Sequence, residues 1–104
     1  LQTRFAADDG TYAEMETGAT RLGFASREQA ASHLPAGFRP NDPENLPAGF
    51  EIAFTTPDVE DAFHKAVSAG ATTLAGPQTK PWGQTVSYVR DPEGILVEIC
   101  SPME

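Results

Sequence analysis

Apolar and polar residues recur at regular spacings in the second half of the chain, and these spacings predict its elements. From Phe50 to Thr56, large apolar residues alternate with small or polar ones, which is typical of a half-buried strand. Asp58 then favours the start of a helix and Gly70 its end. Between them, apolar residues at i, i+3, i+4, i+7 and i+8 form one stripe along the helix. They are Val59, Ala62, Phe63, Ala66 and Val67.

The residues after this helix predict strands joined by turns. A short strand at Thr72–Ala75 is followed by a loop that contains two prolines and a glycine. Residues 84–90 and 95–100 then predict a hairpin, because the intervening Asp91-Pro92-Glu93-Gly94 has the composition of a tight turn. The second half of the chain therefore has the order β-α-β-β-β.

The first half predicts three strands without a long helix. The strands cover residues 2–7, 11–16 and 19–25, and Asp-Gly and Thr-Gly pairs separate them. Ser26 favours the start of a short helix at Arg27–Leu34. Residues 35–49 contain four prolines and two glycines, so we expect a linker there.

The two halves resemble each other in strand order, which indicates an internal repeat. Thr20–Ser26 is similar to Ile95–Ser101, so that Gly23 corresponds to Glu98. A strand and a helix precede Thr72, but only Leu1 and Gln2 precede the matching Thr3. We therefore expect that a strand and a helix of about 20 residues are absent from the first half by truncation.

Several short motifs identify a family that the second half resembles. The clearest is the Asp91-Pro92-Glu93-Gly94 turn followed by a strand that contains Glu98. The others are Phe50–Phe54, Asp58-Val59, Gly70-Ala71 and Trp82-Gly83. Together they resemble the vicinal oxygen chelate superfamily, the group of glyoxalase I, bleomycin-resistance proteins and extradiol dioxygenases.

The resemblance implies an α+β fold in which paired β-α-β-β-β modules form a curved sheet around a cleft. The first module, residues 1–26, would be incomplete. Residues 27–49 would form a linker with a short helix, and residues 50–104 a complete second module. This fold supports many functions, so the resemblance alone does not fix the activity.

Enzymes of that superfamily hold one divalent metal with four side chains, two from each module, and this implies candidate ligands. Glu98 matches the family glutamate on the last strand of a module, and Glu51 stands where metal-binding members often have histidine. Gly23, at the matching place in the first module, has no donor atom. A divalent metal at Glu51 and Glu98 is thus one interpretation, but we predict no cofactor.

Another interpretation of the same carboxylates is a pocket for an organic ligand. Alternation places Ala53 with Glu51 on one strand and Cys100 with Glu98 on another. Two neighbouring carboxylates would raise one pKa, which suits proton transfer, or would pair with a cationic ligand. Cys100 has no histidine spaced to activate it, so we expect it to line the pocket.

Two further residues complete the expected ligand site. If Arg90 pairs with Ile95 across the turn, Ser87 lies beside Glu98 and the neighbouring Tyr88 faces the helix. Trp82 lies in a loop, where it would either cover the pocket and stack on a planar ligand or anchor the loop to the core.

Charge and cysteine content restrict the partners and the location. Seven basic and fifteen acidic residues give a net charge of −8, which argues against nucleic acid and anionic membranes. Cys100 is the only cysteine, so we expect a reducing, cytoplasmic location. The two histidines have no cysteine or histidine at zinc-ligand spacing.

These observations lead to one main hypothesis and two alternatives. The main hypothesis is a noncatalytic protein of the bleomycin-resistance type that sequesters a cationic or aromatic small molecule. One alternative is a metal-dependent lyase, isomerase or dioxygenase, and the other is a folded fragment without native activity. We also expect a homodimer, since a missing strand would leave a sheet edge open to a second copy.

Overall fold

The computed structural model describes residues 1–103. These residues form two helices and seven strands, and the strands are arranged in two sheets. The strands are β1 Thr3–Ala6, β2 Tyr12–Glu16, β3 Arg21–Ala25, β4 Glu51–Thr55, β5 Thr72–Thr79, β6 Thr85–Arg90 and β7 Leu96–Cys100. The helices are α1 Arg27–His33 and α2 Val59–Ser68. This content confirms the α+β prediction. Over the described residues, neither helix has the length and apolar character needed to cross a bilayer.

The chain divides into two compact units, Leu1–Pro40 and the residues from Asn41 onward. The boundaries expected from the sequence, 1–26, 27–49 and 50–104, stay a prediction. In the first unit, β1, β2 and β3 form an antiparallel sheet in that order. The hydroxyl of Ser26 accepts a hydrogen bond from the backbone N–H of Gln29 across 3.1 Å, which confirms the predicted start of α1.

The second unit has the predicted β-α-β-β-β order. Its four strands lie in the order β4-β7-β6-β5, with β4 parallel to β7 and the other neighbours antiparallel. Strand β5 is longer than the predicted Thr72–Ala75 and includes Pro77. A proline, which lacks an N–H, is tolerated there because β5 lies at the edge of the sheet.

Helix α2 covers one face of this sheet and forms the core with it. The Asp58 carboxylate accepts a hydrogen bond from the Asp61 N–H across 3.0 Å, as expected for the start of a helix. Val59 and Phe63 of the apolar stripe are buried against Val89 of β6 and Ile99 of β7. The opposite face of the sheet does not belong to this core.

The β6–β7 hairpin differs by one residue from the predicted register. Arg90 pairs with Leu96, whereas the sequence predicted a pair with Ile95. The Asp91 carboxylate accepts hydrogen bonds from the N–H groups of both Glu93 and Ile95, each across 2.9 Å, so that Ile95 belongs to the turn. Because side chains alternate along a strand, this shift moves every residue of β6 to the other face relative to β7.

Candidate functional site

Two glutamates and two small residues share the sheet face opposite α2. In the parallel register of β4 with β7, Glu51 lies opposite Leu96 and Ala53 lies opposite Glu98. Alternation along β7 places Cys100 on the same face as Glu98. The structure thus brings four of the sequence-derived candidates, Glu51, Ala53, Glu98 and Cys100, to one face of two neighbouring strands.

Glu51 and Glu98 influence each other's pKa in opposite directions. A hydrogen bond with Glu98 is the main cause that raises the pKa of Glu51, and burial and the charge of Glu98 act in the same direction. Burial alone would raise the pKa of Glu98, but hydrogen bonds from Cys100, Glu51 and Tyr88 lower it overall. Of the two carboxyl groups, Glu51 therefore takes up a proton first as the pH falls, and Glu98 stays ionised to lower pH.

Tyr88 belongs to the candidate site, although the sequence analysis placed it on the other face of the sheet. It lies opposite Glu98 in the β6–β7 register, and its hydroxyl donates a hydrogen bond to Glu98 Oε1 across 3.2 Å. Burial and the negative charge of Glu98 raise the pKa of Tyr88. The phenol therefore stays protonated and remains a donor. The signal that could have located it is the Asp91 carboxylate, which extends the turn to Ile95.

Ser87 lies on the face that Tyr88 was expected to occupy. Its side chain is fully buried, and its hydroxyl donates a hydrogen bond to the carbonyl oxygen of Ile99 across 2.8 Å. Val89, two residues further along β6, packs against α2 on the same face. The predicted orientation of Ser87 beside Glu98 is wrong, because the turn contains one residue more than assumed.

Cys100 is buried and keeps its proton at neutral pH. The thiol lies 3.7 Å from the carbonyl oxygen of Phe54, to which it donates. Burial and the neighbouring Glu98 raise the pKa of Cys100 to about 11. A thiol of this kind is a poor nucleophile, so its contribution here is a small apolar surface and a weak hydrogen bond.

Trp82 lines a separate cavity of about 550 Å³ in the second unit. Its side chain is 62% exposed, and its indole N–H donates to Gln84 Oε1 across 2.9 Å. The Gln84 amide in turn donates to the carbonyl oxygen of Ser101 across 2.9 Å, which fixes the orientation of the ring. The lining residues are Pro57, Trp82, Gly83, Gln84, Ser101, Pro102 and Met103. They do not include Glu51 or Glu98, so this cavity and the glutamate pair are distinct features of the unit.

The donor groups on the Glu98 face do not fit a divalent metal. Over residues 1–103, no group of three or more His, Cys, Asp or Glu side chains is arranged to hold an ion. The Cys100 thiol, whose pKa is about 11, is protonated at neutral pH, so that only the two glutamate carboxylates remain as candidate ligands on this face. Metal ligands must be deprotonated, and catalytic zinc takes three protein ligands. The two glutamates do not supply such a set.

Comparison with known families supports the relationship that the motifs suggested. The model of the glyoxalase/bleomycin resistance protein/dioxygenase superfamily matches residues 2–99. The chain belongs to this superfamily. Its members often bind divalent metals, typically bind small molecules and form dimers. A search of curated proteins finds no match.

Solved structures of the superfamily have the same fold at low sequence identity. A glyoxalase-related enzyme from Fulvimarina pelagi is 16% identical, with a TM-score of 0.78 over 96% of this chain and 69% of its own. A superfamily enzyme from Burkholderia phytofirmans PsJN is 22% identical, with a TM-score of 0.71 over 89% and 72%. TioX from Micromonospora sp. ML1 is 24% identical, with a TM-score of 0.62 over 100% and 76%. At these identities the similarity concerns the fold.

Proposed function

We propose that this protein is a noncatalytic binder of the glyoxalase/bleomycin-resistance type, which sequesters a cationic or aromatic small molecule. The observation that carries the proposal is the glutamate pair on the sheet face opposite α2. A cytoplasmic location is part of the proposal, because Cys100 is a free thiol. The net charge of −8 also favours a cation over an anion as the ligand.

The Glu98 carboxylate supplies the charge in this proposal. It is ionised when Glu51 holds the proton of the pair, and Tyr88 donates to one of its two oxygens. A carboxylate offers about four acceptor sites, so a ligand N–H can still bind beside these partners. Glu51 lies on the same face and adds a second negative charge once the pH rises above its pKa.

The cavity at Trp82 supplies an aromatic surface. None of its seven lining residues carries a charge, and they include two prolines, a methionine and a tryptophan. Its volume is within the range of about 300–1,000 Å³ that small-molecule sites have. A planar ring can therefore stack on Trp82, whose orientation Gln84 fixes.

Binding of proflavine, a planar cationic dye, tests the proposal. The expected result is saturable binding in equilibrium dialysis, weaker by about tenfold or more in the Glu98→Gln variant because a charge-assisted hydrogen bond is lost. Glu60→Gln removes the same charge from an exposed position of α2, away from this face, and should bind as the wild type does. Quenching of the Trp82 fluorescence reports separately whether the ring of the dye reaches the cavity.

The anionic dye fluorescein provides the comparison of ligand charge. We expect it to bind more weakly than proflavine, because the face that we propose as the site is acidic. Equal binding of both dyes, or equal binding of proflavine by wild type and Glu98→Gln, would contradict the role of Glu98. No binding of any dye in a broad cationic panel would remove the main support for the proposed function.

We also propose that the protein is a homodimer in which a second copy covers the outer edge of β3. Strand β7 of the second sheet corresponds to β3 in the repeat. Its outer edge is covered by β4, and its Ile99 is only 7% exposed beneath α2. The matching residue of β3, Phe24, is 46% exposed. Light scattering should give a dimer for wild type and a monomer for Phe24→Lys, with the exposed Phe50→Lys as control. A monomeric wild type would contradict this.

A further inference from the structure

The two sheets share one register over the strands that correspond in the repeat. Glu14 of β2 pairs with Gly23 of β3, and Tyr88 of β6 pairs with Glu98 of β7. Gly23 therefore holds in the first sheet the place that Glu98 holds in the second. In a superfamily whose metal ligands include the last strand of each module, this is the position at which the first module would present a ligand.

Tyr12 occupies the space in front of Gly23. Its hydroxyl donates to Glu14 Oε2 across 2.8 Å, and its ring lies 6.4 Å from the ring of Phe5. A Cβ atom added to Gly23 would lie 2.5 Å from the Tyr12 hydroxyl oxygen and 3.1 Å from Cε1. The first distance is too short for any real side chain, so a residue other than glycine at position 23 requires the tyrosine ring to move.

The glycine at position 23 is explained by this contact and not by its backbone conformation. Six other glycines of the described chain have positive φ angles, but Gly23 does not belong to them. It lies in a regular antiparallel strand, where glycine is unfavourable unless another group approaches closely. The group that approaches here is the phenol of Tyr12.

We propose that Tyr12 closes position 23 to any metal-binding side chain, so that this protein holds no divalent ion at the positions that carry the superfamily's metal. The inference goes beyond the proposed function, since it rests on the first sheet and on the metal-ligand chemistry. Its experiments measure metal retention and folding, so they can fail independently of dye binding.

Metal retention is the first test. The full chain is incubated with Co²⁺ and passed through gel filtration, after which bound cobalt is measured by mass spectrometry and by its visible absorption. The expected result is cobalt far below one ion per chain, with no absorption from a protein-bound ion. One ion per chain that is retained by wild type and lost in Glu98→Gln would overturn the proposal.

The contact between Tyr12 and Gly23 is tested by substitution. Gly23→Ala should lower the Tm and remove the NOE contacts between the rings of Phe5 and Tyr12. Gly76→Ala is the matched control, because Gly76 also lies in a strand but a Cβ atom added to it would point into open space. That substitution should leave both readouts unchanged.

The Tyr12→Ser variant tests whether the tyrosine ring causes the loss of stability in Gly23→Ala. In Tyr12→Ser the obstructing ring is gone, so adding Gly23→Ala should lower the Tm by less than it does in wild type. An equal loss in the two backgrounds would show that the ring does not limit position 23 and would overturn the proposal. If Tyr12→Ser fails to fold, the NOE contacts in Gly23→Ala decide: their persistence overturns it, and their loss supports it.

Discussion

Tyr88 and Glu98 lie opposite each other on β6 and β7, and the Tyr88 hydroxyl donates a hydrogen bond to Glu98 Oε1 across 3.2 Å. This donor favours the ionised form of Glu98. Cys100 and Glu51 act in the same way, and together the three outweigh the effect of burial, which would raise the pKa of Glu98. Glu98 is thus the carboxylate that three neighbouring side chains stabilise in its ionised form.

Removal of the Tyr88 hydroxyl should raise the pKa of Glu98. Tyr88→Phe keeps the ring but loses one of the three donors that stabilise the carboxylate. The pKa is measured from the pH dependence of the Glu98 side-chain carboxyl ¹³C shift. Thr79→Val, which removes an exposed hydroxyl from the same sheet, is the control and should leave this pKa unchanged. A Glu98 pKa that is unaltered in Tyr88→Phe would show that the hydrogen bond does not act on the charge.

Substitution of Glu51 should change how stability depends on pH. The pKa of Glu51 is raised in the folded state from its ordinary 4.5, so its contribution is fully present below that value. It is lost as the pH rises through the folded pKa. Glu51→Gln keeps a hydrogen-bond donor and cannot ionise. We therefore expect the free energy of unfolding of wild type to fall relative to Glu51→Gln as the pH rises from below 4.5 through the folded pKa of Glu51.

Urea unfolding at several pH values measures this difference, and Glu98→Gln provides a comparison of opposite sign. The pKa of Glu98 is lowered on folding, so its contribution is present above its ordinary pKa and is lost as the pH falls through the folded value. Wild type should therefore lose stability relative to Glu98→Gln in acid. The same trend in both variants would argue against a proton held on Glu51.

Ser87→Ala should destabilise the fold without weakening dye binding. The substitution removes the hydrogen bond to the buried Ile99 carbonyl, which typically costs about 1–3 kcal/mol. Ser32→Ala removes an exposed hydroxyl from α1 and should change the free energy of unfolding by less than about 0.5 kcal/mol. Weaker dye binding by folded Ser87→Ala would place Ser87 in the ligand site after all, contrary to its position on the α2 face.

Truncation of Phe63 should be among the most costly changes in the second unit. Phe63 is buried in the core that α2 forms with Val89 and Ile99, and Phe→Ala changes in cores cost about 3–5 kcal/mol. Phe50→Ala alters the same residue type at an exposed position and should cost less than about 0.5 kcal/mol. Chemical unfolding followed by circular dichroism measures both. Similar costs for the two variants would contradict the assignment of the core.

Local signals were sufficient for most of the second module. The apolar stripe of α2, with Asp58 before it, predicted the helix because its 3.6-residue period is independent of the rest of the chain. The alternation in β4 likewise predicted that Glu51 shares a face with Ala53. The prediction of the β6–β7 register failed because the register depends on hydrogen bonds within the turn that composition does not reveal, among them those from the Glu93 and Ile95 N–H groups to the Asp91 carboxylate.

The amino-acid sequence by itself determined the elements, the repeat, the superfamily and the two glutamates, because periodicity and short motifs are properties of neighbouring residues. Only the tertiary structure decided which side chains meet them. Tyr88 replaced Ser87 beside Glu98, and Tyr12 was found in front of Gly23. Such contacts depend on strand register and side-chain direction, and a shift of one residue reverses them without any change in the local pattern.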